Sequence, residues 1–185
     1  MTEKKKGTYI AVVGSGGREH AIIRKLLTSP TCDGVVCIGG NAGIEADVEC
    51  VDLFANSDIV HYCKSKNVDL VVIGPEQPLV NGLADALRAE HIAVFGPSEA
   101  AAQLEASKDF TKKLCDEYNI PTAKYKTFAS KPDAIAYVKK VGAPIVIKAD
   151  GLAAGKGVTV AKTVKEALAA LEECFDGAFG DAAED

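Results

Sequence analysis

No two of the six cysteines stand at CxxC spacing, and the three histidines (His20, His61, His91) are scattered. That excludes the common zinc spacings. The first seven residues are polar and carry no apolar signal region, which argues against a secreted disulfide framework. The expectation is six reduced, mostly buried cysteines (Cys32, Cys37, Cys50, Cys63, Cys115 and Cys174) in a cytoplasmic protein. No apolar run approaches the length of a membrane span, so no membrane partner is expected. Basic residues are not in excess either: the net charge is −5, which removes the bulk electrostatic case for nucleic acid. No internal repeat or low-complexity segment breaks the chain. What remains is a globular composition, 48% apolar and 25% charged over 185 residues, enough for one ordinary domain or two small ones. Lys4, Lys5 and Lys6 read as part of a solvated tail.

One stretch dominates what is present. Residues 144–161, PIVIKADGLAAGKGVTVA, read as strand, glycine-rich loop and strand. Ile145, Val146 and Ile147 form one β-branched run, and Val158, Thr159 and Val160 another. Between them lie Gly151, Gly155 and Gly157, with Lys148 entering the loop and Lys156 near its tip. Close-approaching amides with two ammonium groups suit an anion, a polyphosphate above all. The P-loop pattern fails here, because Gly157 follows Lys156 where Ser or Thr is required and a strand follows where a helix is required. A hairpin of this kind can fold over a nucleotide as a flap; the plainer alternative is a flexible surface hairpin.

The rest of the chain alternates strand and helix. Strands are predicted over 8–13, 35–38, 70–73 and 92–95, with a short extended piece near 48–53. Helices are predicted over 18–28, with Ala21, Ile22, Leu26 and Leu27 on the apolar side, over 57–65 with Asn56 or Ser57 as cap, and over 79–90. Alternation of this kind implies a parallel sheet with helices on both faces and ligands at the carboxyl ends of the strands. Three of those ends are glycine-rich: Gly14 to Gly17, Gly39 to Gly43, and Gly74-Pro75-Glu76. They should converge on one crevice. After Pro97 the character changes: 98–118 reads as helical with a break near Ala106, 122–128 as extended, and 131–140 and 164–175 as helices around the hairpin.

Gly14-Ser15-Gly16-Gly17-Arg18-Glu19-His20 invites a dinucleotide reading, but Glu19 stands where the fingerprint wants its third glycine, and no acidic residue ends the second strand. A sugar monophosphate fits better, with amides from Gly16 and Gly17 and charge-assisted bonds from Arg18. Glu19 caps or pairs locally, and His20 is packed or hydrogen-bonded rather than catalytic. Glu76 suits sugar hydroxyls or an amine, or is an exposed turn acid.

The motifs GSGGREHA (14–21), GNAG (40–43), GPEQPLVNGLAD (74–85), FGP (95–97), AAQLEASKDFTK (101–112), IPTA (120–123) and VIKADGLAAGKGV (146–158) occur in this order. Together they closely resemble the glycinamide ribonucleotide synthetase family of ATP-grasp ligases, over about residues 8–181. The resemblance implies an α/β fold: a Rossmann-like parallel-sheet (pre-ATP-grasp) domain followed by an incomplete ATP-grasp domain. Its expected divisions are a tail (1–7), a substrate-binding domain (8–100), a helical linker and start of the ATP-grasp (101–122), and a partial ATP-grasp subdomain with the flap (123–185). It implies a carbon–nitrogen ligase of de novo purine synthesis. Glycine is activated by ATP, with magnesium or manganese, as an acyl phosphate that 5-phosphoribosylamine attacks. Carried over residue by residue, Gly16, Gly17 and Arg18 would hold the 5-phosphate, and Asn41, Gly43, Glu76, Pro78 and Leu79 would line the ribosylamine site. Lys108, Lys148, Gly151, Gly155, Lys156 and Gly157 would bind ATP, with Lys148 and Lys156 as its catalytic lysines.

Family members are much longer. The resemblance therefore places the magnesium ligands beyond Asp185, together with the adenine pocket and most of the glycine site. It implies pairing with a C-terminal portion and no ligase turnover by these 185 residues alone. Gly39 replaces the proline usual before GNAG, and Ile44 the threonine usual after it. Competing readings are a non-catalytic sugar-phosphate-binding or partner-docking module, another ATP-grasp ligase such as a biotin carboxylase-like protein, and, last, a nicotinamide oxidoreductase.

Overall fold

A computed structural model of the chain describes residues 7–151 and 157–176. It divides into two compact units, residues 1–102 and 103–185.

The first unit is built on a five-stranded parallel sheet. Its strands are β1 (Thr8–Gly14), β2 (Cys32–Gly39), β3 (Glu49–Val51), β4 (Leu70–Ile73) and β5 (Ala93–Phe95), in the order β3-β2-β1-β4-β5. The helices are α1 (Gly17–Leu27), α2 (Ala42–Glu45), α3 (Asn56–Ser65), α4 (Glu76–Val80), α5 (Leu83–Ala89) and the first part of α6 (Glu99–Ala106). The near-continuous apolar runs of the strands have a simple cause: both faces are covered. Ala11, Val13, Val36, Ile38 and Val71 point into a core shared with Ile59, Cys63, Leu83 and Leu87 of α3 and α5. Their neighbours Ile10, Val12, Val35, Cys37 and Val72 point the other way, against Ile23 of α1 and Ile44 of α2.

Three local expectations need correction. The helix expected over 79–90 is two helices, because Gly82 lies between them at φ 77, in the left-handed region where a helix cannot continue. The fully buried residues of α1 are Glu19 and Ile23, one turn apart; Ile22 and Leu26 pack half-buried against the same core as expected, while Ala21 and Leu27 are exposed. Neither Asn56 nor Ser57 caps α3; Asn56 Nδ2 instead donates to the Asn81 carbonyl at 2.7 Å. The short α2 was not foreseen, since four residues carry no periodicity.

The six cysteines are free, but only Cys37 and Cys63 are fully buried. Burial pushes the Cys63 thiol up to about 11, and burial together with neighbouring Cys50 pushes Cys37 up to about 12. Cys37 and Cys50 are register partners across β2 and β3.

The second unit contains α7 (Lys108–Glu117), α8 (Lys131–Val141), β6 (Ile145–Lys148), β7 (Val158–Ala161) and α9 (Val164–Phe175). The sequence's break near Ala106 is where α6 ends and Ser107 caps α7. Strands β6 and β7 form an antiparallel hairpin, Ile145 opposite Ala161 and Lys148 opposite Val158. Ile147 and Ala161 bury one face against Ala134 and Val138 of α8 and Ala167, Ala170 and Leu171 of α9. The other face carries Val146, Val158 and Val160, all exposed. Residues 122–128 join no ladder. Side chains of α7 hold them instead: Lys112 to Thr122 and Ala123, Asp116 to Tyr125, and Asp109 to Thr127. Among the described residues no helix is long and apolar enough to cross a membrane.

Candidate functional site

In the first unit the strand order reverses direction between β1 and β4, and open sheets of this kind bind ligands at the carboxyl ends flanking such a point. The sheet register sets the ends of β2, β1 and β4 side by side: Gly14 is level with Gly39, and the Gly74 N–H donates to the Val13 carbonyl. Side chains then tie the three loops together. Asn41 Nδ2 donates to the Ser15 carbonyl at 2.6 Å, while Asn41 Oδ1 caps α2 by accepting from the Gly43 and Ile44 N–H groups. Arg18 Nη1 donates to Glu76 Oε1 at 3.2 Å. His20 Nε2 meets Asp47 Oδ2 at 2.7 Å, which ties α1 to the segment after α2 and leaves His20 hydrogen-bonded.

Gly16, Gly17 and Arg18 are exposed at the start of α1. The first turn of a helix leaves its N–H groups without intrahelical acceptors, and the helix dipole adds positive potential there. The Gly16 N–H is already engaged, donating to Glu19 Oε2 at 2.7 Å. The amides of Gly17, Arg18 and Glu19 occupy the first three helical positions. The Arg18 guanidinium is raised further above its ordinary value by its bonds to Glu19 and Glu76, so its charge is permanent. Its partner Glu76 is held below the usual carboxylate value, first by its own backbone N–H and then by Arg18. Asn41 and Gly43 are exposed, Pro78 is half-buried, and the Leu79 side chain is committed to the core. The crevice thus offers backbone donors and one fixed cation beside two exposed hydrogen-bonding side chains, Asn41 and Glu76.

In the second unit Lys108, Lys148 and Asp150 line one cavity of about 690 Å³, together with Phe128, Tyr137 and Phe175. Lys108 Nζ donates to the Gly151 carbonyl at 2.9 Å. The base of the hairpin closes where the Ala149 N–H donates to the Gly157 carbonyl at 2.8 Å. Gly155 and Lys156 lie outside the described residues. Asp150, which the sequence did not single out, connects these parts. Its Oδ1 accepts from the N–H groups of Lys108 (2.5 Å) and Asp109 (3.3 Å), and its Oδ2 accepts from the Ser107 hydroxyl at 2.7 Å. Ser107 Oγ in turn accepts from the Phe110 N–H. One carboxylate and one hydroxyl therefore satisfy the first three amides of α7 and lock the helix that carries Lys108 to the strand end that carries Lys148. Phe128 and Tyr137 stack with centroids 5.2 Å apart, and Lys126 lies over both rings.

Comparison with known proteins sets these sites in context. Residues 8–105 match the family described as phosphoribosylglycinamide synthetase, N domain, and residues 106–185 match its ATP-grasp (A) domain. A phosphoribosylamine–glycine ligase of Brucella melitensis biotype 1 is 56% identical over 175 residues, covering 94% of this chain and 41% of the relative. The chain spans about two fifths of the length of the curated bacterial relatives it matches. The crystal structure of a phosphoribosylamine–glycine ligase from Thermotoga maritima superposes with a TM-score of 0.71 at 29% identity, over 92% of this chain and 40% of that one. The biotin carboxylase domain of a Hydrogenobacter thermophilus 2-oxoglutarate carboxylase, solved with MgADP, ADP and bicarbonate, superposes at 0.72 with 16% identity, over 97% of this chain and 43% of that one. At that identity the likeness concerns the fold alone.

Proposed function

The chain belongs to the phosphoribosylglycinamide synthetase family, and from that premise we propose that it carries the phosphoribosylamine-binding part, and part of the ATP-binding part, of a ligase that joins glycine to 5-phosphoribosylamine. In this reaction a glycine carboxylate oxygen attacks the γ-phosphorus of ATP. The bond to the bridging oxygen of ADP breaks, and glycyl phosphate forms. The amine of 5-phosphoribosylamine then attacks the acyl carbon, phosphate leaves, and the amine gives up a proton, yielding glycinamide ribonucleotide. Phosphoryl transfer of this kind is catalysed by positioning and by charge neutralisation rather than by covalent chemistry of the protein.

The observation that carries the reading is the free first turn of α1 at the sheet's reversal point, with Arg18 fixed beside it. A 5-phosphate there receives amides from Gly17 and Arg18 and a charge-assisted bond from the guanidinium. Asn41, Gly43, Glu76 and Pro78 then line the ribosylamine portion, with the Glu76 carboxylate the natural partner for its amine, while Leu79, its side chain in the core, can offer backbone only. In the second unit Lys108 and Lys148, on opposite sides of the Asp150 lock, supply two cations to the triphosphate of ATP. Gly151 and Gly157 frame the loop, and Gly155 and Lys156 complete it. Magnesium or manganese accompanies ATP in this proposal. Among the described residues no group of three or more His, Cys, Asp or Glu side chains is placed to hold a metal ion. The setting is the cytoplasm, with small molecules as partners.

Calorimetric titration of the chain with ribose 5-phosphate tests the crevice. Saturable binding is expected, weakened about tenfold or more in Arg18→Ala by loss of a charge-assisted contact. No saturable binding, or an Arg18→Ala variant that binds as well as the parent, would sink the assignment.

A further inference from the structure

Glu19 is the one charged side chain that is buried among the described residues, 3% exposed, and it lies directly behind the proposed phosphate site. Taken alone, a carboxylate there opposes the binding of an anion. Its surroundings show why it is present. A Cβ added to Gly14, Gly16 or Gly74 would come within 2.7, 2.8 and 2.1 Å of Glu19 side-chain atoms, so glycines from two strand ends and the turn form a mould around this side chain. At Gly16 and Gly74 the carboxylate alone excludes a side chain, and at Gly14 it does so together with Pro75 and a φ of 129. Both carboxylate oxygens are in use: Oε2 accepts from the Gly16 N–H, and Oε1 accepts from Arg18 Nε at 2.9 Å. Arg18 continues the chain to Glu76 on the far loop.

Resting on the reading of the crevice as a sugar-phosphate site, we propose that Glu19 is its positioning residue. Its buried carboxylate fixes the guanidinium of Arg18, an otherwise exposed and mobile side chain, beside the first-turn amides before the ligand arrives. It also takes up the Gly16 amide, so that the turn is held at one curvature and the next three N–H groups are presented together. Preorganisation of this kind raises affinity by removing ordering from the binding step. It also explains why Glu19, rather than a third glycine, follows Arg18: the room under the turn belongs to the carboxylate, and the site is shaped for one phosphate group rather than for a pyrophosphate lying across the turn.

The test is a double-mutant cycle on the chain, read as the dissociation constant for ribose 5-phosphate, with thermal unfolding of each ligand-free variant alongside. Glu19→Gln is isosteric, keeps an oxygen for the Gly16 N–H and removes the charge that holds Arg18. It is expected to weaken binding about tenfold. In an Arg18→Met background the same change is expected to cost less than about twofold, because the effect runs through Arg18. Gly74→Ala changes no charge but puts a methyl where Glu19 Oε1 lies, and is expected to reproduce the loss. The proposal is overturned if Glu19→Gln binds like the parent, or if the losses at positions 18 and 19 add in full. A parent chain that shows no saturable binding overturns the crevice reading itself, before any variant is made, and this proposal with it.

Discussion

The two units present positive groups by different means. In the first unit the donors are backbone amides on a helix seated against a sheet that is buried on both faces, and a carboxylate hidden inside the turn braces them. In the second unit the donors are lysine side chains, on a helix and on a two-stranded hairpin buried on one face only, and a partly exposed carboxylate, Asp150, links them. A rigid support lets backbone donors be presented directly. Where support is one-sided, long cationic side chains do the reaching, and the lock between elements matters more than the core beneath them.

That contrast can be broken by mutation, and the largest effect is expected in the cores. Ile23→Ala or Leu87→Ala, at fully buried positions of the first unit, should lower unfolding free energy by about 2–5 kcal/mol. Val160→Ala on the exposed hairpin face should change it by no more than about 0.5 kcal/mol. Urea unfolding measures both, and comparable losses would erase the distinction between two-sided and one-sided burial. Next comes the lock. Asp150→Ala removes the acceptor for two amides of α7 and for the Ser107 hydroxyl, and should cost about 1–2 kcal/mol, with Asp150→Asn costing less. Hydrogen exchange at Lys108 and Asp109 should accelerate in the alanine variant; unchanged exchange would show that α7 is held by something else.

The smallest effect is electrostatic. The folded state holds the Glu76 carboxyl below its ordinary value, first through its own backbone N–H and then through Arg18, so these contacts contribute stability above that value and lose it as pH falls through the lowered one. The pair is largely exposed, so the contribution is small. Acid titration of stability from neutrality downward should show Glu76→Gln losing slightly less than the parent; an equal or larger loss in the variant refutes the lowered carboxyl.

Much of this was legible before the structure. Apolar runs ending in glycine marked β1, β2, β4 and β5, and β-branched runs on either side of the glycine-rich loop marked both strands of the hairpin, because a buried parallel strand and a half-buried hairpin each leave a composition signal. The break in front of Lys108 was legible too, since Ser107 is a good N-cap. What escaped notice depends on contacts distant in sequence. Nothing local says that Asp150 caps a helix beginning 42 residues earlier. Glu19 could be suspected of capping its own turn, but its burial depends on Gly74, far along the chain and on another strand end. Gly82 hid in a helical pattern because a glycine within a helix is common, and only its left-handed φ shows that the chain breaks there. The outward valines of the hairpin read the same as the inward isoleucine, so sequence could not tell its covered face from its open one.

The strand order has a kinetic consequence. Strand β1 lies at the centre of the first sheet, yet one of its two neighbours, β4, pairs with it at Ile10 and Leu70, sixty positions along. As the polypeptide emerges during synthesis, β1 and β2 can pair early, but one long edge of β1 stays unsatisfied until Ile73 has appeared. For that interval the chain exposes an unpaired parallel edge made of Ile10, Ala11, Val12 and Val13, the kind of surface through which nascent chains aggregate or recruit chaperones.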